Sequence, residues 1–251
     1  MAHITKSLAR QVLDISFRLG NDARAVTLGV GLLILVAADF TLPGTQPAII
    51  ALSTFILLAT VLVLCAAHFR ALKPFGAANA VTTFRVGLMA MLLGAAADAS
   101  GALATWWPAV LSGLALALDG LDGEVARRCR TESRFGAYFD QETDAGLILA
   151  LVLLLAISGK VGPWIVVAGL MRYGLLTAGW ISPSLAAPLP KSRFRSRTCA
   201  ITVAALVVCL LPILTSLQAS IIAAIALMGL TLSFGRDLIW LLKNARGRKH
   251  A

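Results

Sequence analysis

The sequence predicts an all-α protein that crosses a lipid bilayer several times, and three observations carry that expectation. Hydrophobic residues make up 59% of the 251 and charged residues only 14%, giving a mean hydropathy of +0.86 that exceeds what a water-facing surface tolerates. Several apolar runs approach the roughly 20 residues that a helix needs to cross the hydrocarbon. The runs lack the period-2 alternation of barrel strands, and a helix satisfies its own backbone groups in lipid.

Taken in order, residues 1–25 place Ile4, Leu8, Val12, Ile15 and Leu19 every three or four positions among Lys6, Arg10 and Arg18. That pattern suits an amphipathic helix on the inner leaflet rather than a cleavable signal. Transmembrane helices are expected near 26–43, 47–68, 86–100, 104–122, 140–158, 162–182, 199–215 and 219–242. Turns are marked by Pro43-Gly44, by Gly159 to Pro163 and by Pro183 to Pro190, residues that end helices or admit unusual backbone angles. The organisation is therefore an N-terminal amphipathic segment (1–25), two spans (26–69), a six-helix core (70–242) and a basic tail (243–251). No polar stretch is long enough to bury a soluble core of its own.

The formal charge of +10 raises nucleic acid as a partner, but the distribution of the cations excludes it. A nucleic-acid surface wants one contiguous basic face. Here the cations fall in alternate short loops: Lys6 to Arg24, Arg70 to Arg85, Arg127 to Arg134, Lys191 to Arg197 and Lys243 to Lys249. The opposite loops, near 43–47, 98–106, 158–162 and 215–218, carry Lys160 as their only cation. Positive charge marks the cytoplasmic side, so both termini are expected there. The four cysteines, Cys65, Cys129, Cys199 and Cys209, show no C-x-x-C spacing and read as small packing residues.

One stretch breaks the apolar pattern. Asp119, Asp122, Glu124, Arg127, Arg128, Asp140, Glu142 and Asp144 lie at or inside segments that otherwise read as membrane, where ionisable groups are costly and usually functional. Asp119 and Asp122 are three apart and Asp140 and Asp144 four apart, so each pair shares a helical face. Two such faces bring four carboxylates together, and cations must offset their repulsion. Oxygen-only ligands suit hard ions, Mg²⁺ or Mn²⁺. Gly123 and Gly136 leave room for a phosphate to approach the backbone, and Arg127 offers a planar donor fork. Two other readings use the same residues. One is a structural ion-pair network in which Arg127, Arg128 and Arg134 neutralise the acids. The other is a divalent-cation transporter, although transport needs acids along a path and these collect at one end.

Written out, Asp119-x2-Asp122-Gly123-x2-Ala126-Arg127-x8-Gly136-x3-Asp140-x3-Asp144 resembles the complete signature of the CDP-alcohol phosphotransferase family of membrane phospholipid-synthesis enzymes. Eight specified positions at about one in twenty each give a chance on the order of 10⁻¹⁰ per start site. Asn79-x2-Thr82-x2-Arg85 is similar to the element that opens the family's first core helix. By itself it also fits a helix cap followed by a snorkelling cation.

The resemblance implies a six-helix core preceded by two extra transmembrane helices. It implies two divalent cations on Asp119, Asp122, Asp140 and Asp144, with Asp144 also the general base. Asn79, Thr82, Gly123, Arg127, Ser133 and Gly136 would hold the CDP donor, CDP-diacylglycerol being favoured over a soluble CDP-alcohol used with a lipid acceptor. The acceptor would be a small alcohol such as glycerol 3-phosphate or inositol phosphate, with CMP released, and homodimers are common in the family. Arg172, an arginine within a predicted span, together with Arg195 and Arg197 in the following basic loop, are the candidates for binding an acceptor phosphate.

Overall fold

The computed structural model describes residues 31, 49–56, 77–129, 134–181 and 192–247. Among them every regular element is helical: α1 (Ala77–Gly94), α2 (Trp107–Cys129), α3 (Arg134–Ile157), α4 (Val166–Ile181), α5 (Arg193–Cys209) and α6 (Ser216–Gly247). Each overlaps in sequence one of the six apolar runs assigned to the core, although among the described residues only α6 is long and apolar enough to cross a membrane. Of the two stretches expected to precede them as spans, residues 49–56 are described and are helical. Its Phe55 is buried and lies against Gly31, where a Cβ would stand 3.4 Å from the ring. The amphipathic segment and the turns at Pro43-Gly44 and Pro183 to Pro190 lie outside the described residues.

The helices run further than hydropathy predicts. α1 starts at Ala77 rather than near 86, and α2 continues to Cys129 rather than stopping near 122; the added part of α1 is rich in alanine, and that of α2 holds Glu124, Arg127 and Arg128, all good helix formers even where they end an apolar window. Within 98–106, expected as a loop, Ala99–Leu103 form a short helix that follows a 3-10 turn at Ala95–Asp98, the two together rich in alanine, the strongest helix former, while 104–106 are turn and bend.

Helix ends follow local chemistry. α3 stops where Gly159 takes φ 71°, a left-handed angle that suits glycine, and the Val161 N–H then donates back to the Leu155 carbonyl at 3.2 Å. α5 begins at Ser192, whose hydroxyl accepts from the Arg195 N–H. At α6 the Thr215 N–H donates to the Gln218 side chain at 3.0 Å while the Gln218 N–H donates to the Thr215 hydroxyl at 3.3 Å, a reciprocal capping box.

Ser216–Leu242 within α6 is the one helix among the described residues both long and apolar enough to cross a membrane, with mean hydropathy 1.9 and only 28% of its most apolar stretch buried. Leu217, Ile221, Ile225, Met228 and Leu232 stand exposed along it, which suits contact with lipid rather than water. Asn79–Gly94 and Trp107–Gly120 are shorter apolar segments. α2 and α3 depart from the expected uninterrupted spans because their acids interrupt the apolar window.

Two compact units emerge, Met1–Asp98 with Leu114–Asp144, and Ala99–Gly113 with Ala145–Ala251. In the second, α5 and α6 pack as an antiparallel hairpin, with the buried Cys209 thiol donating to the Ala219 carbonyl at 3.3 Å. Cys209 is thus a packing residue, as its spacing suggested. Lys160 donates from Nζ to the Leu211 carbonyl at 2.5 Å, placing a cation at the C-terminal end of α5 where the helix dipole favours it. Partial burial lowers the Lys160 pKa.

α4 meets α3 closely at Gly169. A Cβ there would lie 2.8 Å from Leu149 Cδ1, 2.9 Å from Leu149 Cα and 3.0 Å from Val152 Cγ2, so the backbones approach because no side chain intervenes. Gly169→Ala is expected to lower the thermal midpoint of the detergent-purified protein, costing ~1–3 kcal/mol by overpacking. Gly174→Ala, on the same helix with nothing within 4 Å, should leave the midpoint unchanged or raise it.

Candidate metal and phosphate site

The first unit gathers charge at one place. Asp119 stands on α2, Asp140 and Asp144 one turn apart on α3, and one carboxylate oxygen from each lies within 4.8 Å of the others. The three are half-buried. The i, i+4 spacing on α3 therefore does what the sequence suggested, presenting both acids to a neighbouring acidic helix.

At the centre sits a residue that the sequence reading left out of the site. Arg85 reaches from α1 with its side chain 1% exposed, Nη1 lying 2.8 Å from Asp140 Oδ1, and Nη2 lying 3.0 Å from Asp119 Oδ1 and 2.5 Å from Asp144 Oδ1. The planar guanidinium matches this task, since its two terminal nitrogens serve different carboxylates at once. The signal was present as the last position of Asn79-x2-Thr82-x2-Arg85, where it reads equally well as a snorkelling cation. Burial decides against snorkelling.

α1 also carries Asn79, half-buried, and Thr82, buried, about two turns and one turn before Arg85 respectively. Gly136 lies one turn before Asp140 on α3. Asp122, Gly123 and Arg127 fall on the helical backbone of α2 just beyond Asp119. Their side chains, those of Arg128 and Arg134, and the whole of Ser133 lie outside the described residues. An ion-pair network does exist among the described residues, but its cation is Arg85; the network considered from sequence, with Arg127, Arg128 and Arg134, rests on side chains outside them.

The second unit holds the acceptor candidates. Arg172 is half-buried on α4 and Arg197 is exposed on α5. Arg195 Nη1 lies 3.3 Å from Asp237 Oδ2, and the guanidinium of the next residue along α6, Arg236, stands 5.4 Å from the centre of the Phe194 ring, a cation–π contact. The sequence reading missed Asp237 because its partner lies 42 residues away.

A divalent cation fits the acidic cluster on two grounds. The donors are all carboxylate oxygens, which hard ions prefer, and they converge to within 4.8 Å. Among the described residues, three carboxylates against one guanidinium count formally as −2 (−3 + 1), a balance that favours added positive charge.

A family model described as CDP-alcohol phosphatidyltransferase matches residues 75–234, a stretch that contains Arg85 and all three clustered acids. Comparisons with curated proteins and with solved structures find no match. The chain belongs to the CDP-alcohol phosphatidyltransferase family. It is therefore a transferase of substituted phosphate groups that takes a CDP-alcohol and an alcohol acceptor, in a family that is membrane-integral and uses divalent metal.

Proposed function

We propose, with that membership as premise, that the chain moves a phosphatidyl group from CDP-diacylglycerol to a small polyol-phosphate, such as glycerol 3-phosphate or inositol phosphate, and releases CMP. The observation that carries this reading is the meeting of Asp119, Asp140 and Asp144 from two helices within 4.8 Å. Asp119, Asp122, Asp140 and Asp144 are the residues that hold two divalent cations, Mg²⁺ or Mn²⁺. When bound, such ions supply charge that offsets the donor pyrophosphate and the departing CMP.

The remaining work falls to the chain. Asn79, Thr82, Gly123, Arg127, Ser133 and Gly136 hold the cytidine diphosphate, the glycines by admitting it close to the backbone and Arg127 by its donor fork. Asp144 takes the proton of the acceptor hydroxyl. Its Oδ1 already accepts from Arg85 Nη2, so Oδ2 is the oxygen that receives the proton. The acceptor oxygen forms a bond to the phosphorus distal to cytidine as the bond from that phosphorus to the CMP oxygen breaks, and CMP leaves with the electron pair. Arg172, Arg195 and Arg197 are the acceptor-phosphate residues in this reading, with both termini cytoplasmic, two N-terminal spans before the core, and a homodimer as the assembled form.

A lipid donor is favoured because the acids sit beside long apolar helix stretches. The test is a panel of alcohols offered to purified protein with radiolabelled CDP-diacylglycerol and Mg²⁺ or Mn²⁺, read as lipid product and CMP. Product with a polyol-phosphate supports the reading. Product only when a soluble CDP-alcohol meets a lipid acceptor reverses the assignment of the lipid, and cation flux without nucleotide would replace it with transport.

Two substitutions divide the roles. Asp144→Asn should still bind the CDP donor and metal but lose turnover, whereas Asp119→Asn or Asp140→Asn should lose metal and turnover together. Equal loss of donor binding in all three would remove the special place of Asp144. Arg172→Leu should raise the acceptor KM about tenfold or more, the scale of one charge-assisted contact, with the donor KM unchanged; an unaltered acceptor KM would take Arg172 out of the site.

A further inference from the structure

Arg85 is almost fully enclosed, and that rules out the commonest task for an arginine in a phosphate-transferring site. A side chain 1% exposed has no surface to offer a substrate phosphate. Its guanidinium instead touches Asp119, Asp140 and Asp144, the same three residues whose oxygens converge as a metal-ligating group. One fixed cation and any incoming divalent ion therefore share a single set of carboxylates.

We propose that Arg85 is a resident counter-cation of the metal site: it holds the three acids together without metal, and its charge opposes metal binding. The inference rests on the metal reading of the cluster. Geometry supports the first half. Nη1 serves Asp140 while Nη2 serves both Asp119 and Asp144, so one planar group ties α1 to α2 and α3. Without that group, three carboxylates within 4.8 Å would face one another in a medium that screens them poorly.

Electrostatics supplies the second half. The same oxygens that accept from Arg85 are those a divalent ion would approach, and two cations at one place repel. The cluster carries −2 with the guanidinium present and −3 without it, counting the acids that Arg85 contacts. Arg85 thus makes metal binding weaker and more readily reversed than the acids alone would make it, and it keeps the metal-free site intact between turnovers. It acts through the acids, as a positioning residue, and does not touch substrate.

Coupling between two cations is measurable without turnover. Full-length wild type, Arg85→Gln and Arg85→Lys are purified in detergent without nucleotide. Each is melted in EDTA, and its Mn²⁺ affinity is read from the paramagnetic resonance of free Mn²⁺. Arg85→Gln is expected to melt lower than wild type in EDTA and to bind Mn²⁺ about tenfold tighter, the scale expected when a unit positive charge is removed from beside the ion. Arg85→Lys keeps the charge but reaches fewer carboxylates from a single nitrogen, so its affinity should fall between the two.

An Arg85→Gln protein recovered folded only in Mn²⁺ also supports the proposal. If it cannot be recovered at all, Arg85→Lys decides, tighter Mn²⁺ binding than wild type supporting and equal or weaker binding overturning. Weaker or unchanged affinity in Arg85→Gln overturns the proposal, because it would mean that Arg85 assists the metal or is not linked to it. Asp140→Asn is the control for the premise. If it binds Mn²⁺ as wild type does, the metal reading of the cluster fails, an outcome distinct from failure of the Arg85 coupling.

Discussion

Three carboxylates brought together inside a largely apolar protein are the constraint on which the first unit depends. At 4.8 Å, and with an effective dielectric constant near 20, each pair of unit charges repels by roughly 3 kcal/mol. That is a large fraction of the stability of a typical domain. The fold answers with Arg85, buried and connected to all three acids, so one side chain from α1 fixes the separation of acids carried by α2 and α3. A lysine in its place would present one nitrogen where two are in use.

Polar groups elsewhere are handled by a different and purely local device. The Thr83 hydroxyl returns to the Asn79 carbonyl, Ser112 to Pro108, Thr143 to Phe139 and Thr202 to Thr198, each four residues back on its own helix. These contacts satisfy a hydroxyl in an apolar setting without committing the helix to any neighbour. Charged groups have no such local solution. Their partners must come from another helix, as Arg85 shows in the first unit, and Arg195 with Asp237 in the second. The site residues are thus also the residues that tie helices together.

That distinction explains what the sequence made legible. Spacing along one helix is visible directly, so the shared face of Asp140 and Asp144 and the acidic face at Asp119 were readable, as was the helical class. Contacts between helices are not visible. Arg85 lies 55 and 59 residues from Asp140 and Asp144, and nothing in a single chain's periodicity links an arginine at the start of an apolar run to acids two helices later. Helix lengths were misread for a related reason. Hydropathy marks where lipid-compatible sequence stops, whereas the backbone of α2 stays helical through the charged residues beyond Asp119.

The division between the units also bears on specificity. In the proposed reading the acids and Arg85, all in the first unit, serve the phosphate chemistry common to every CDP-alcohol, so discrimination among acceptors would fall to other residues. The cations proposed for that task on α4 and α5 are not equivalent. Arg195 is engaged by Asp237 at 3.3 Å, which aims its guanidinium while offsetting part of its charge. Arg172, half-buried on α4, sits where water competes less for a bound anion than it does at the exposed Arg197. On the proposed reading, Arg172 is therefore the cation whose loss should cost acceptor binding more than loss of the exposed Arg197.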